Sequence, residues 1–539
     1  MRRLSIFLAL CALGALPGRA QDLGSDDIVV VKDYAARIQD AERIERAPSL
    51  PPEDFDSVQV DYDDLPDIDL ALRPEPHETR PLATPREVRA DLRESYIRFG
   101  FGTQFTPLVD AAWFDSDIDD MLYGVRYRHL SGHGRRENQR FADHRVDAFW
   151  EYAPGPMKLE VETAYDFGKD FFWGYDEDVE TFDREDIRQA VHDLELRIGL
   201  GNAVRTDRDI DYGFDITTRY TADAFDQTEW MVRTDAFIAK TWNEMHRLEV
   251  GGTADLNNFV PSYTNDKERE IFHVRTRYVF DNGDWRLRAG AETVFGDVSN
   301  EETWNIYPEI YTEKPLLQDH LIFYSGWRRY LQKNTYRGFL QENPWMNTVL
   351  EIDNSRIEDR MAGFTGAVGG FQYDARFSNK VVREMPLFVN DSADMKRFNV
   401  VYEDRMTVFN LSVEASYTFE RSWTLSTTQN IFLYELDEQA EAWHQPTYRG
   451  TLTGSYDWRD KLLFSASVTG IAGVKARRAD GSTRTIPGTA DISMGVEYMF
   501  TDYLSFFCHL NNLAAIRYET FHRYPGFGFN GLVGATVKF

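Results

Sequence analysis

The chain has 539 residues, and 89 acidic against 60 basic side chains give it a formal net charge of −29 at pH 7. So acidic a surface excludes nucleic acid as a partner, because binding phosphate requires a basic surface. No apolar run of the ~18 residues that a transmembrane helix needs follows residue 20, so the sequence also excludes a membrane protein built of helices.

Residues 1–20 have the pattern of a secretory signal peptide. Two arginines provide a positive start, and residues 4–16 form an apolar stretch too short to span a bilayer. Small residues ahead of the junction predict cleavage near Ala20. The mature chain then keeps one cysteine, Cys508, so that no intramolecular disulfide can form.

Residues 21–93 form a second part with a different composition. Eight prolines lie between Pro48 and Pro85, and acidic residues crowd the same stretch. Proline fixes φ and removes a backbone donor, and like charges repel one another. We therefore expect an extended segment on the periplasmic side that forms no core of its own.

Residues 94–539 read as strand after strand, with apolar side chains at every second position. Their connectors have two lengths. Short turns are predicted at 153–156, 281–284, 457–460 and 501–502, and long charged loops at 131–143, 169–188, 256–269, 331–356, 383–396, 436–446 and 475–487. Short turns that alternate with long loops are typical of transmembrane barrels. At roughly 20 residues for each strand and its connector, this region predicts about 22 strands (20–22).

The chain ends in a strand that alternates apolar and polar residues. The predicted apolar face extends from Phe527 to the C-terminus and includes Ala535, Val537 and Phe539. Such a face needs a core in water but only lipid in a bilayer. The predicted fold class is therefore all-β: a transmembrane antiparallel β-barrel. A terminal aromatic also resembles the signal of Gram-negative outer-membrane barrels, which makes Phe539, Val537 and Ala535 the candidate residues for contact with the barrel assembly machinery.

The C-terminal region resembles a known family. Residues 510–513, 524–530 and 534–539 look like the closing hairpin of TonB-dependent receptors, and stretches 96–102, 342–345 and 442–446 agree. The chain is most similar to the plug-less, receptor-like barrels of Bacteroidota. The resemblance implies a barrel in the outer membrane of a Gram-negative bacterium that transports or binds an unidentified solute at the cell surface. TonB-dependent receptors carry a folded plug ahead of the barrel, and residues 21–93 lack the length, glycines and apolar pattern of one.

One short stretch bears on energy coupling. An apolar run resembles the segment with which TonB pairs as an added strand, and it comprises Ile28, Val29, Val30 and Val31. The alternative is an ordinary β-prone stretch near a terminus. The expected partners are outer-membrane lipid and lipopolysaccharide, the barrel assembly machinery, and surface lipoproteins or TonB.

The sequence offers no chemistry for catalysis. Its 11 histidines lack metal-binding spacings, and no Gly-x-Ser-x-Gly sequence occurs. We therefore expect no enzyme, no cofactor and no metal site, and a structural role for His444. The alternative function is a scaffold barrel that docks surface lipoproteins or an outer-membrane assembly complex through its long acidic loops.

Overall fold

The computed structural model describes residues 95–116, 120–203, 210–262, 266–298, 304–348, 350–420 and 422–539. Within these ranges, 22 strands form a single antiparallel sheet. The first strand pairs with the second on one side and with the last on the other, where Tyr96 lies opposite Lys538. The sheet is therefore a closed barrel, in which every strand has two partners. The predicted all-β class and the predicted count of about 22 strands are both confirmed.

The barrel strands are β1 (Tyr96–Gly102), β2 (Thr106–Asp115), β3 (Met121–His133), β4 (Arg140–Tyr152), β5 (Met157–Phe171), β6 (Arg188–Asn202), β7 (Ile210–Asp223), β8 (Thr228–Trp242), β9 (His246–Val260), β10 (Lys267–Asp281), β11 (Arg286–Gly296), β12 (Trp304–Leu317), β13 (Leu321–Gln332), β14 (Ser355–Val368), β15 (Phe371–Asn390), β16 (Phe398–Phe419), β17 (Trp423–Leu436), β18 (Tyr448–Trp458), β19 (Leu462–Ala472), β22 (Thr489–Thr501), β23 (Leu504–Asn511) and β26 (Asn530–Lys538). Two small hairpins stand apart from the barrel sheet, β20 (Lys475–Arg477) with β21 (Thr483–Thr485) and β24 (Glu519–Phe521) with β25 (Tyr524–Pro525). The helix α1 (Tyr336–Glu342) lies between β13 and β14.

The connectors separate the barrel into two ends. One end, the turn end, holds the C-terminus and short turns at 153–156, 243–245, 318–320, 459–461 and 502–503. The other end, the loop end, holds the long connectors 172–187, 333–354, 437–447, 473–488 and 512–529. Gly369 and Gly370 form the whole turn between β14 and β15 with φ of 56° and 84°, and a two-residue hairpin turn with positive φ at both positions favours glycine. The predicted separation of short turns from long loops is confirmed, but three loops predicted at 131–143, 256–269 and 383–396 are shorter than expected, because the flanking strands extend into them and leave connectors of 134–139, 261–266 and 391–397.

The two faces of the barrel differ in polarity. On β1 the outward Ile97, Phe99 and Phe101 are exposed, whereas Arg98 between them points to the lumen. The same alternation recurs along most strands, so a belt of exposed apolar side chains surrounds the barrel. An apolar belt outside and charge inside are what a bilayer requires of a spanning barrel. Within the described part of the chain, no helix has the length and apolarity to cross a membrane.

The last strand is shorter than predicted. β26 begins at Asn530, so Phe527 and Phe529 precede the strand and do not extend its apolar face. Gly528 has a φ of 71°, which interrupts extended backbone at this point. β23 and β26 pair antiparallel, as the predicted closing hairpin requires, but a long loop over 512–529 joins them, so residues 524–529 precede the last strand.

Candidate functional site

Two of the candidate assembly residues, Ala535 and Val537, lie on the outer face of β26, and Phe539 directly follows the last residue of that strand. Ala535 is 6% exposed because it lies between Phe99 of β1 and Phe506 of β23, directly opposite both. Phe539 is 62% exposed, and its backbone N–H donates to the carbonyl of Ser95 at 2.9 Å. The C-terminus thus lies at the seam where the last strand meets the first. Recognition of Phe539, Val537 and Ala535 by an assembly machinery stays a prediction.

The TonB-contact candidates Ile28, Val29, Val30 and Val31 lie outside the described residues. The same holds for the signal peptide and for the segment 21–93. These assignments stay predictions.

A large apolar core lies at the loop end, where a simple barrel would have an open mouth. Its buried members are Phe171, Phe172, Trp173, Tyr175, Ile187, Phe259, Tyr336, Phe339, Leu340, Met346, Leu350, Ile352, Phe388, Phe398, Phe521 and Tyr524. Three of the loops that supply them, 172–187, 333–354 and 512–529, start from strands that are several positions apart around the ring. Loops so placed can share one core only by meeting across the lumen. We call this core and the loops that supply it the cap.

Aromatic contacts join the three loops at the centre of the cap. The rings of Trp345 and Tyr524 stack with centroids 3.7 Å apart, and Trp173 meets Tyr524 edge-on at 4.9 Å. The Trp345 indole N–H donates to the carbonyl of Phe171 at 3.0 Å. Aromatic pairs add about 0.5–1.5 kcal/mol each to the free energy of area burial. The cap is therefore packed in the way of a domain core, unlike a set of solvated loops.

Helix α1 docks on the inner wall formed by β6, β7 and β8, five to seven strands around the ring from β13. Thr335 caps its N-terminus by accepting from the N–H of Gly338. The carboxylate of Glu229 on β8 accepts from the N–H groups of Tyr336 and Arg337, both at 3.1 Å. A carboxylate at the N-terminus of a helix accepts from N–H groups that have no partner within the helix. Its negative charge also interacts favourably with the helix dipole.

Side chains of α1 complete the docking. The Arg337 guanidinium donates to Asp193 at 2.5 Å, and the Tyr336 hydroxyl donates to Asp223 at 2.6 Å. Burial, together with Asp223, raises the pKa of Tyr336 well above its usual value. The loop predicted at 331–356 therefore folds inward over the lumen.

His444 connects loop 437–447 to the cap core. Its Nδ1 lies 2.8 Å from the carbonyl oxygen of Phe388, and its Nε2 accepts from the backbone N–H of His522 at 3.2 Å. A carbonyl only accepts, so Nδ1 carries the proton and the ring is neutral. Burial lowers the pKa of His444 to about 4. The predicted structural role of His444 agrees with these contacts.

Below the cap, the inner wall carries charges of both signs. Arg126 forms two hydrogen bonds to Asp110, at 2.6 and 2.9 Å, and Arg277 forms two to Glu309, at 3.0 and 3.1 Å. Both pairs span neighbouring or next-neighbouring strands on the lumen face. Among the described residues, no group of three or more His, Cys, Asp or Glu side chains could hold a metal ion. Such a wall offers charged groups of both signs to a hydrophilic solute.

The fold is shared with solved outer-membrane structures. The FrpB iron transporter from Neisseria meningitidis matches with a TM-score of 0.66 at 10% identity, over 83% of this chain and 81% of that one. The ferric enterobactin receptor PfeA from Pseudomonas aeruginosa matches with a TM-score of 0.63 at 10% identity, over 83% and 80%. FpvAI, solved in complex with pyocin S2, matches with a TM-score of 0.63 at 11% identity, over 83% and 70%.

These neighbours are TonB-dependent receptors, and at such identity the likeness shows the fold. It confirms the barrel that the sequence resemblance implied. No family model and no curated protein matches the chain.

Sequence reasoning did not predict the cap. The available signal was a run of bulky aromatic residues in connectors, above all Phe171 to Tyr175 and Trp345. Aromatic residues are common at the membrane interfaces of barrels, and that role would account for them equally well. The contacts that these residues make with one another and with Tyr524 distinguish the two roles.

Proposed function

We propose that this protein is an outer-membrane barrel that transports or binds a polar solute, and that the cap closes its extracellular mouth until the solute or a partner opens it. The observation that carries the proposal is the cap itself: three loops from distant strands meet in one aromatic core above a charged lumen. A permanently open pore has no need of such a core. The shared fold with receptor barrels supports the same class of function.

The interactions that hold the cap suit a closed state that can be reversed. Its periphery is polar, with α1 held by Glu229, Asp193 and Asp223 on the wall. Hydrogen bonds to charged groups contribute about 1.5–3 kcal/mol each, and water or a competing polar ligand can replace them. A solute with anionic or cationic groups could therefore exchange contacts with the wall as the helix leaves it.

Conductance in planar bilayers tests this proposal. The purified full chain should show low conductance, and truncation of Trp345 to alanine should raise the open fraction at least tenfold, because it removes the ring stacked on Tyr524. The matched control is Trp304→Ala, which removes the same side chain from an outer-face position that is 63% exposed. A stable large conductance in the unmodified protein, or equal behaviour of the two variants, would contradict gating by the cap.

A second function is favoured by one further observation. Loop 172–187 buries its first residues in the cap but exposes residues 176–181, which include Asp176, Glu177 and Asp178. A sealed barrel that projects an acidic tip could serve as a scaffold for surface lipoproteins or an assembly complex. Purification from native membranes in mild detergent distinguishes the functions. Stoichiometric partners that are lost on replacing these three acids by Asn or Gln would support the scaffold, and a lone barrel supports transport.

A further inference from the structure

Three arginines lie side by side on neighbouring strands of the barrel. Arg356 on β14 is directly opposite Arg383 on β15, and Arg383 is directly opposite Arg405 on β16. We call these three residues the arginine row. Like charges in directly opposed positions are destabilising in a sheet. A chain with a net charge of −29 nevertheless keeps three together.

The arginine row belongs to the outer face. On the same strands, at even-numbered spacing from these arginines, the exposed apolar side chains are Phe364, Phe377 and Leu411. Side chains at even spacing along a strand share a face. Arg383 and Arg405 are themselves exposed. The row therefore points away from the lumen, into whatever surrounds the barrel.

The row lies at the border between the apolar belt and the loop end. Phe377 and Leu411 are opposite one another and lie six residues closer to the turn end than Arg383 and Arg405. Arg356 is the second residue of β14 at its loop-end start. In a bilayer, this border is the level of the lipid headgroups in the outer leaflet.

Further charges of both signs lie around the row. Arg329 and Arg360 flank Glu358 at the edge of the belt, where Glu358 contacts both guanidinium groups. Glu384 directly follows Arg383 in the chain, and Asp404 directly precedes Arg405. Asp353 and Glu438 also lie near Glu384, so the local excess of positive charge is confined to the arginine row itself.

We propose that the arginine row binds the phosphate groups of an anionic lipid in the outer leaflet. The guanidinium group donates in a planar fork that matches phosphate oxygens, and an anion between like charges removes their repulsion. The apolar belt directly below would contact the acyl chains of the same lipid, which favours a membrane lipid over free phosphate. The inference rests on the outer-membrane location in the proposed function and is independent of transport.

Lipid binding by the purified barrel tests the proposal. Wild-type protein and the Arg383→Gln/Arg405→Gln variant are titrated in neutral-detergent micelles with bisphosphorylated lipid A, and bound lipid is counted by native mass spectrometry. We expect binding about 25-fold weaker in the variant, at about fivefold for each arginine near an anionic lipid surface. The control Arg477→Gln/Arg478→Gln removes two charges from the β20–β21 hairpin and should bind as wild type. Heat-modifiable gel migration confirms that each barrel is folded.

Two binding results would overturn the proposal. One is equal binding of lipid A by the wild type and the Arg383→Gln/Arg405→Gln variant. The other is displacement of the lipid by inorganic phosphate at a concentration equal to that of the lipid phosphate groups. This result would identify free phosphate, and not a membrane lipid, as the ligand. Thermal melting without anionic lipid is an independent check: the variant should melt at or above wild type, because repulsion has been removed. A lower melting temperature would assign the row a purely structural role.

Discussion

The neutral His444 ring makes the cap sensitive to acid. In the closed cap, its two nitrogens are committed to the carbonyl of Phe388 and the N–H of His522, so the ring has no place for a second proton. In an opened cap, the ring meets water and regains an ordinary pKa of about 6.5. Acidification should therefore open the cap locally while the barrel remains folded.

The magnitude follows from the two pKa values. The closed-state pKa of His444 is about 4, below the open-state value, so the closed cap binds fewer protons. Its contribution to stability is complete above about pH 6.5 and is lost as pH falls towards 4. At pH 5 the loss is roughly 2 kcal/mol, which is an increase of about 30-fold in the opening equilibrium. At pH 4 it is roughly 3 kcal/mol.

Hydrogen–deuterium exchange of residues 437–447 measures this opening once rates are corrected for the intrinsic effect of pH. The control is His444→Gln, which keeps a donor and an acceptor but does not titrate. His522, Glu519 and Arg484, which interact around the same site, are present in both proteins, so the difference between them isolates His444. The reasoning is refuted if wild-type exchange at pH 5 equals that at pH 7.5, or if the variant keeps the same pH dependence.

Three further predictions concern assembly, docking and the N-terminal segment. Phe539→Asp should reduce the yield of heat-modifiable barrel, although a charge near an interface costs only about 0–1 kcal/mol; a normal yield would contradict a role in recognition. Tyr336→Phe should destabilise α1 by about 1–3 kcal/mol, because Asp223 loses a buried donor, and unchanged amide exchange across 336–342 would count against this docking. Deletion of residues 22–85 should leave bilayer conductance nearly unchanged, and a large increase would show that this segment blocks the pore.

The sequence predicted the parts of the fold that are encoded locally. Period-two alternation marks each strand, and Pro-Gly or Asn-Gly marks turns such as 153–156 and 281–284. Strand count and the two classes of connector follow from these signals alone. The limits of β26 were less well predicted, because Phe527 and Phe529 continue the alternation while the backbone at Gly528 leaves the strand.

The cap could not be predicted from local pattern, because its contacts join residues far apart in the chain. Trp173, Trp345 and Tyr524 come from three separate loops. Nothing in the neighbourhood of Trp345 distinguishes a side chain that packs on another loop from one that lies at a membrane interface. The arginine row has the same property, since Arg356, Arg383 and Arg405 become neighbours only through strand register.

The long-range contacts of the cap also bear on the stage of barrel assembly at which the cap forms. The Arg523 guanidinium donates to the carbonyl of Gly174 across 349 residues of chain, and closing so long a loop is unfavourable until intervening strands have paired. The loop that carries Arg523 is held at its other end by β26, the strand that completes the ring. We therefore expect the cap to form after the ring has closed. Burial of Trp173 and Trp345, or resistance of these loops to protease added outside the cell, would then report that a molecule has finished insertion. An intermediate whose first and last strands have not paired would expose the same aromatic residues to quality-control proteases.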